Sequence, residues 1–208
     1  MLADKAKFAA YAKSIGATRL LPRTFRLDRP KFPAVLKRTD LNSGNGVAVV
    51  TSREQLDARL ASAPWAGRPV LLQALVPAHT DHVTYLVCVE GKVVWHRTYA
   101  YRLAQPDQIR GPVVTQTGKR KRTRPRDIRA FETLLLPLRY SGPANVDYRR
   151  RPDGSVAILE INPRLGGSLM KPENVGDLAA CLAAIVRHAR WRPAPAPRPA
   201  AASGEARA

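Results

Sequence analysis

Two acids and two amides on a predicted hairpin are the groups best placed in this chain to do chemistry. Asn145-Val146-Asp147-Tyr148 and Leu159-Glu160-Ile161-Asn162-Pro163-Arg164 flank Pro152-Asp153-Gly154, a tight-turn signal. With Asp153 and Gly154 as the two central residues of the turn, Asp147 falls opposite Glu160 and Asn145 opposite Asn162. Side chains alternate across a strand, so these four project from one face. Val146, Tyr148, Leu159 and Ile161 project from the other, into a core. The result is an oxygen-rich cluster on a rigid two-stranded platform, with Arg164 just past its end. Hard oxygen donors of this kind suit Mg²⁺, which is usually held by a few carboxylates together with the phosphates of a nucleotide. The plainer reading is a solvated hairpin face, but such a face would carry Lys, Thr and mixed charge. It would not align two acids with two amides and then reach an arginine beside Gly166-Gly167-Ser168.

Periodicity and punctuation predict the elements around this platform. Residues 4–15 read as a helix, with Asp4 as N-cap, Phe8, Tyr11, Ala12 and Ile15 on one face and Gly16 at its end. Residues 33–37 and 46–50 read as strands flanking a glycine-rich loop, and 53–61 as a short helix with Leu56 and Leu60 inward. Strands are expected at 70–76, 83–89 and 92–98, the last two joined by a Glu90-Gly91 turn. A helix over 127–138 precedes the hairpin and another, over 177–189, follows it. From 193 to 208 the composition narrows to Pro, Ala and Arg, which cannot bury enough surface to fold, so this tail is expected to be disordered.

The sequence resembles the ATP-grasp ligases. Glu160-Ile161-Asn162-Pro163-Arg164, with Asp147 as partner acid, matches the strand with which that family holds two Mg²⁺ ions on ATP. Asp4-Lys5 opens a helix, as does the family's first phosphate-binding lysine. Lys37 ends the apolar run Pro33-Ala34-Val35-Leu36, where the family keeps its second. Leu41-Asn42-Ser43-Gly44-Asn45-Gly46 looks like the loop over the phosphates, and Val70 to Val76 like the strand and hinge that contact adenine. The resemblance runs from about residue 4 to about residue 185, and the order of its five pieces makes it specific. It implies an α+β, ATP-grasp fold of largely antiparallel sheets, with two α+β lobes gripping ATP over residues 1–192. The N-terminal part covers about 1–73 and the part with the metal site 74–192.

The resemblance also implies a reaction. ATP phosphorylates a small carboxylate substrate, and an amine or similar nucleophile attacks the acyl phosphate, releasing ADP and phosphate. Asp147, Glu160 and Asn162 would hold the metal, two Mg²⁺ ions or Mn²⁺ in their place. Lys5, Lys37, Asn42, Ser43, Gly44, Asn45 and Gly46 would grip phosphates, and Gln73, Ala74, Leu75 and Val76 the base. Arg164 and Lys37 would act at the transferring phosphoryl. Gln73 departs from the glutamate many members place at the hinge, and Asp81 is a replacement ribose ligand. Members usually carry a preceding α/β domain that forms part of the acceptor site. Here it is expected to be missing from the chain, supplied by a partner chain or homodimer, or dispensed with. The alternatives are an ATP-binding module that acts with a partner chain and a basic nucleic-acid-binding protein.

Composition bounds these readings. The chain has 208 residues and a net charge of +19. Its arginines are spread rather than gathered in one stripe, which favours compositional bias plus an anion-handling site over nucleic-acid binding. No apolar run is long enough for a membrane span, no leader is visible, and Cys88 and Cys181 lack metal-ligand spacing, so a cytoplasmic protein with two free buried thiols is expected. Gly118 to Arg126 is the densest run of positive charge, read either as a lid that attracts anions or as a solvated loop. His79, His82, His96 and His188 read as surface or packing residues. Arg97, Tyr99 and Arg102 of one predicted strand are candidates for an acceptor pocket.

Overall fold

The computed structural model describes residues 1–41, 45–110 and 118–189. Among these the chain forms two antiparallel sheets and four α-helices. The first sheet has the order β1-β4-β2-β3, from Thr24–Phe25 (β1), Ala34–Arg38 (β2), Val47–Val50 (β3) and Val70–Ala74 (β4). The second has the order β7-β6-β5-β8-β9, from Thr80–Val89 (β5), Lys92–Arg102 (β6), Lys119–Lys121 (β7), Gly142–Arg150 (β8) and Val156–Asn162 (β9). The helices are Lys5–Ser14 (α1), Arg53–Leu60 (α2), Pro125–Leu135 (α3) and Val175–His188 (α4).

Local signals account for most boundaries. Asp4 caps α1, its carboxylate accepting from the amides of Ala6 at 3.0 Å and Lys7 at 2.9 Å, and Gly16 leaves the helix at φ +69°. Glu90 and Gly91 both take positive φ in the β5–β6 turn, and a Cβ on Gly91 would lie 2.4 Å from the Leu136 backbone. Pro125 stands in the first turn of α3, which therefore starts two residues earlier than expected and ends at Leu135. β5 and β6 run longer than the apolar alternation suggested. The short strands β1 and β7 were not expected, because two- and three-residue strands carry no periodicity of their own.

Alternation assigns the two faces of each sheet. In β2, Ala34 and Leu36 enter a core with Val50, Leu56, Trp65 and Leu72, while Val35 and Lys37 face the second sheet across a cavity. In β8, Val146 and Tyr148 enter a larger core with Phe8 of α1 and Phe131 and Leu134 of α3. Asn145 and Asp147 face the cavity. α4 covers the rest of that face, where Cys181 and Ala184 pack on Tyr85 and Tyr99.

The β8–β9 hairpin departs from the expected turn in a way that preserves the expected site. The loop has three residues, Pro152-Asp153-Gly154. Arg151 N–H donates to Ser155 O at 2.9 Å, Gly154 N–H to Arg151 O at 2.8 Å, and Gly154 has φ +73°. That shifts the register by one, and Tyr148 pairs with Ile158. A β-bulge at Leu159 restores it, so Asp147 pairs with Glu160 and Asn145 with Asn162. Leu159 is the correction: it lies beside Glu160 on the cavity wall rather than in the core, and Ile158 takes the core position instead. Without the bulge, Ile158 and Glu160 would share one face.

This register separates two substitutions that a regular hairpin would make alike. Tyr148 is fully buried, edge-on to Phe131 at 5.4 Å and stacked on His82 at 5.0 Å, so Tyr148→Ser should cost about 2–4 kcal/mol in chemical denaturation. Leu159→Ser, on the cavity wall, should cost less than ~1.5 kcal/mol. Equal losses would place Leu159 in the core and remove the bulge.

Candidate active site

A cavity of about 420 Å³ lies between the two sheets, walled by Val35 and Lys37 of the first and by Asp147, Glu160 and Asn162 of the second, with Lys5 reaching in from α1. Each of these side chains is aimed by its element. Lys5 is the first residue of α1, fixed by the Asp4 cap. Its Nζ donates to Leu41 O at 2.6 Å and stands 3.6 Å from Glu160 Oε1. Lys37, at the cavity-facing phase of β2, is buried and donates to Gln73 Oε1 at 2.8 Å. Burial lowers its pKa to about 8; the negative charge of Glu160 acts in the opposite direction. A lysine taken out of water without a carboxylate on it calls for an anion.

The second sheet supplies the opposite charge. Asp147 is raised to about 6 by burial, against the pull of Arg110 and with a further push from Glu160 and Asp81. Arg110 Nη2 donates to Asp147 Oδ1 at 2.7 Å. Among the described residues Glu160 Oε1 is buried with no hydrogen-bond partner, and the 3.6 Å to Lys5 is an ion-pair distance beyond hydrogen-bond reach. Asn162 Nδ2 donates to Asn145 Oδ1 at 3.3 Å and Asn145 Nδ2 to Arg164 O at 3.0 Å, which leaves the Asn162 carbonyl oxygen as the atom it has to offer. These residues fit a hard divalent cation: the donors are oxygens, two are carboxylates, and one carboxylate oxygen is out of water without a donor. Among the described residues no three His, Cys, Asp or Glu side chains converge. The protein alone would therefore leave positions on the ion for phosphate and water, as Mg²⁺ sites do.

Most of the expected site residues meet here. Lys5, Lys37, Ala74, Leu75, Val76, Asp81, Asp147, Glu160, Asn162 and Arg164 all line the cavity. Gln73 does not; it faces Lys37 and holds it. Asp81 lines the wall, but its Oδ1 accepts from Arg149 Nε at 2.7 Å. Asn45 and Gly46 are off the lining, and Gly46, at φ +63°, closes the β2–β3 turn by accepting from Arg38 N at 2.7 Å. Asn42, Ser43 and Gly44 lie outside the described residues, as does the tail from residue 193.

Several expectations beyond the core site come out differently. Arg97 and Tyr99 do not line the cavity. Arg97 Nε lies 2.8 Å from Asp177 Oδ1, and Tyr99 Oη donates to Asp177 Oδ2 at 2.6 Å, tying α4 to the sheet. Arg102 is exposed and also off the lining. The basic run forms neither a lid nor a plain loop. Lys119–Lys121 is an exposed edge strand on β6, where charge discourages further pairing, and none of the run's described residues lines the cavity.

Two arginines escaped the sequence reading. Arg149, about 3% exposed, is the buried clamp of the site: beyond Asp81, it donates to the carbonyls of Val76 at 2.9 Å, Pro106 at 3.2 Å and Gln108. Its signal was available, since Arg149 follows Asn145 and Asp147 on the same alternation. Arg110 sits in a stretch without periodicity and carried no signal. Gly166 answers a close approach: a Cβ there would meet Tyr85 Cε1 at 2.9 Å and Asn145 Nδ2 at 3.1 Å.

No protein-family model matches the sequence, and no curated protein matches it. Solved structures do match in fold. An L-amino acid ligase from Bacillus licheniformis superposes with a TM-score of 0.53 at 17% identity, over 81% of this chain and 42% of that one. An N5-carboxyaminoimidazole synthase from Aspergillus clavatus, solved with ADP and 5-aminoimidazole ribonucleotide, gives 0.62 at 14% identity, over 89% and 52%. A D-alanine–D-alanine ligase from Bacillus anthracis, solved with ATP, gives 0.61 at 15%, over 89% and 64%. The chain thus spans roughly half the length of these structures.

The buried lysine has a measurable signature. A lysine whose folded pKa is depressed destabilises the fold while it is protonated, and that penalty lifts as pH rises from the folded toward the unfolded value. Relative to Lys37→Met, the unliganded protein should gain about 1–2 kcal/mol between pH 8 and pH 10 in denaturant titrations. A constant difference across that window would mean that Lys37 reaches water.

Proposed function

We propose that this chain, which has the ATP-grasp fold, is an ATP-dependent ligase that activates a small carboxylate as an acyl phosphate for attack by an amine-type nucleophile. The observation that carries the proposal is the meeting of Lys5, Lys37, Asp147, Glu160, Asn162 and Arg164, from both sheets and α1, around one cavity. The fold likeness supports the class of reaction; the acceptor and the nucleophile are left to experiment.

Each residue has a role its surroundings suit. Val35, Val47 and the chain at Ala74 to Val76 offer an apolar slot for a planar base. Lys5 and Lys37 face the phosphates, and a polyanion beside Lys37 would restore the proton that burial weakens. Asp147, Glu160 and the Asn162 carbonyl would hold Mg²⁺, which when bound neutralises the phosphate oxygens and orients the γ-phosphoryl group. Arg164 stands exposed at the mouth, with Nη1 donating to Leu165 O at 3.1 Å, and would stabilise charge on the phosphoryl as it passes to the carboxylate. The acceptor carboxylate is itself the nucleophile toward phosphorus, and the amine toward the acyl phosphate, so no side chain forms a covalent intermediate. The protein positions reactants and balances charge.

Mg-ATP should raise the melting temperature, because a ligand selective for the folded state stabilises it by mass action. Asp147→Asn and Glu160→Gln should each reduce that rise at least several-fold while leaving the fold intact, and the double change should cost less than the two single effects combined, since both act through one ion. ADP release in a screen of amino-acid and dicarboxylate acceptors reads out turnover. A folded protein whose melting curve ignores millimolar Mg-ATP would end the proposal.

A further inference from the structure

We infer that Arg110 is the counter-ion of Asp147 in the unliganded protein, that a divalent cation displaces it, and that the guanidinium so released turns to the phosphates of the nucleotide. The inference rests on the cation reading of Asp147 and Glu160 given above. It adds a residue that joins cation binding to anion binding within one cavity.

The geometry separates Arg110 from the other arginine nearby. Arg149 is fixed, with four partners on the protein and almost no exposure. Its hold on the loop after β6 ends at the Gln108 carbonyl, so Arg110 stands two residues past the last clamped point. Among the described residues Arg110 makes a single short polar contact, Nη2 to Asp147 Oδ1 at 2.7 Å. Its Nε is 3.8 Å from Asp81 Oδ2, beyond hydrogen-bond reach, and Asp81 is already answered by Arg149. The guanidinium carbon stands over the Tyr101 ring, 4.3 Å from its centroid, and the side chain is about one-fifth exposed.

Charge favours the exchange. The Asp147 side chain is about four-fifths covered, and a carboxylate held largely out of water favours a cation at its oxygen. A guanidinium and a divalent ion cannot both occupy that oxygen, since like charges a few Å apart repel strongly in a partly desolvated site. When the ion takes Oδ1, Arg110 loses its hydrogen bond to Asp147 and keeps its seat on Tyr101. That seat opens on the cavity that Lys5 and Lys37 also line, so the released cation meets the same polyanion as they do. Planar guanidinium suits phosphate in geometry as well as in charge.

The test uses Mn²⁺ alone, then Mn²⁺ with ATP, on the full chain, with free Mn²⁺ read by electron paramagnetic resonance and folding checked by circular dichroism. Without nucleotide, Arg110→Gln should bind Mn²⁺ roughly tenfold more tightly than the wild type, because a competing unit charge has been removed. On an Asp147→Asn background the same change should have no effect. With Mn²⁺ saturating, Arg110→Gln should bind ATP several-fold more weakly. Arg110→Lys, which keeps the charge and loses reach, should fall between and covers the case in which the glutamine variant does not fold. Unchanged or weaker Mn²⁺ binding by Arg110→Gln, or no Mn²⁺ binding by any of the proteins, would overturn the inference. The proposed ligase function is read separately: stabilisation by Mg-ATP that Glu160→Gln abolishes would leave it standing after such a result, and loss of that stabilisation as well would remove both.

Discussion

Everything in this molecule turns on holding opposite charges out of water at one seam. Asp147 and Glu160 rise from the floor of the second sheet, Lys37 descends from the first, and Lys5 enters from the side. None of these is paired in the way that would quieten it. Lys37 rests on a neutral amide, Glu160 keeps a buried oxygen without a donor, and Asp147 depends on an arginine from a loop. A buried ionic group of this kind gives little net stability, because desolvation offsets most of the attraction. The two sheets owe their cohesion to the apolar clusters on their outer faces. The seam between them holds charges set in place for a ligand that carries the opposite sign in each half.

The cores show how a fold can bear that arrangement. Tyr148, Phe131, Ile158 and Leu134 pack without exposure directly behind Asp147 and Glu160, so the strands that carry the acids are anchored from the back. On the first sheet, Leu36 and Leu72 do the same behind Lys37. Alternation along a strand is what couples the two. Each polar residue at the cavity has apolar neighbours in sequence that fasten it to a core. Arg149 adds a clamp across elements, gathering the hinge at Val76 and the loop at Pro106 and Gln108 onto one buried guanidinium.

Much of this was legible in the sequence, and the omissions have physical causes. An apolar run beside a glycine-rich loop gave β2, and strand-like runs gave most of β5 and the hairpin of β8. Capping chemistry placed Asp4 at the start of α1. The pairing of Asp147 with Glu160 was correct although the turn was not, because a longer loop and a bulge displace the register in opposite directions. A bulge leaves no mark in hydrophobic pattern, so Leu159 was assigned to the wrong side. Gln73 was given to a base and instead holds a lysine, a contact between strands that spacing along the chain does not express. Arg110 was invisible for the same reason: its partner is 37 residues away and its own segment has no period.

The bulge at Leu159 has a consequence for how this hairpin can vary. It lies between the tip and the acids, so it works as an expansion joint. The loop at Pro152 to Gly154 is insulated from the carboxylates, and its length and composition can drift under selection or in the hands of an engineer while the far end stays in step. The tip is thus the place to graft a tag, a label or a foreign epitope. Deleting Leu159 itself would close the bulge into regular pairing, with Ile158 still opposite Tyr148 and Glu160 still opposite Asp147, so the joint can be taken up without moving either acid.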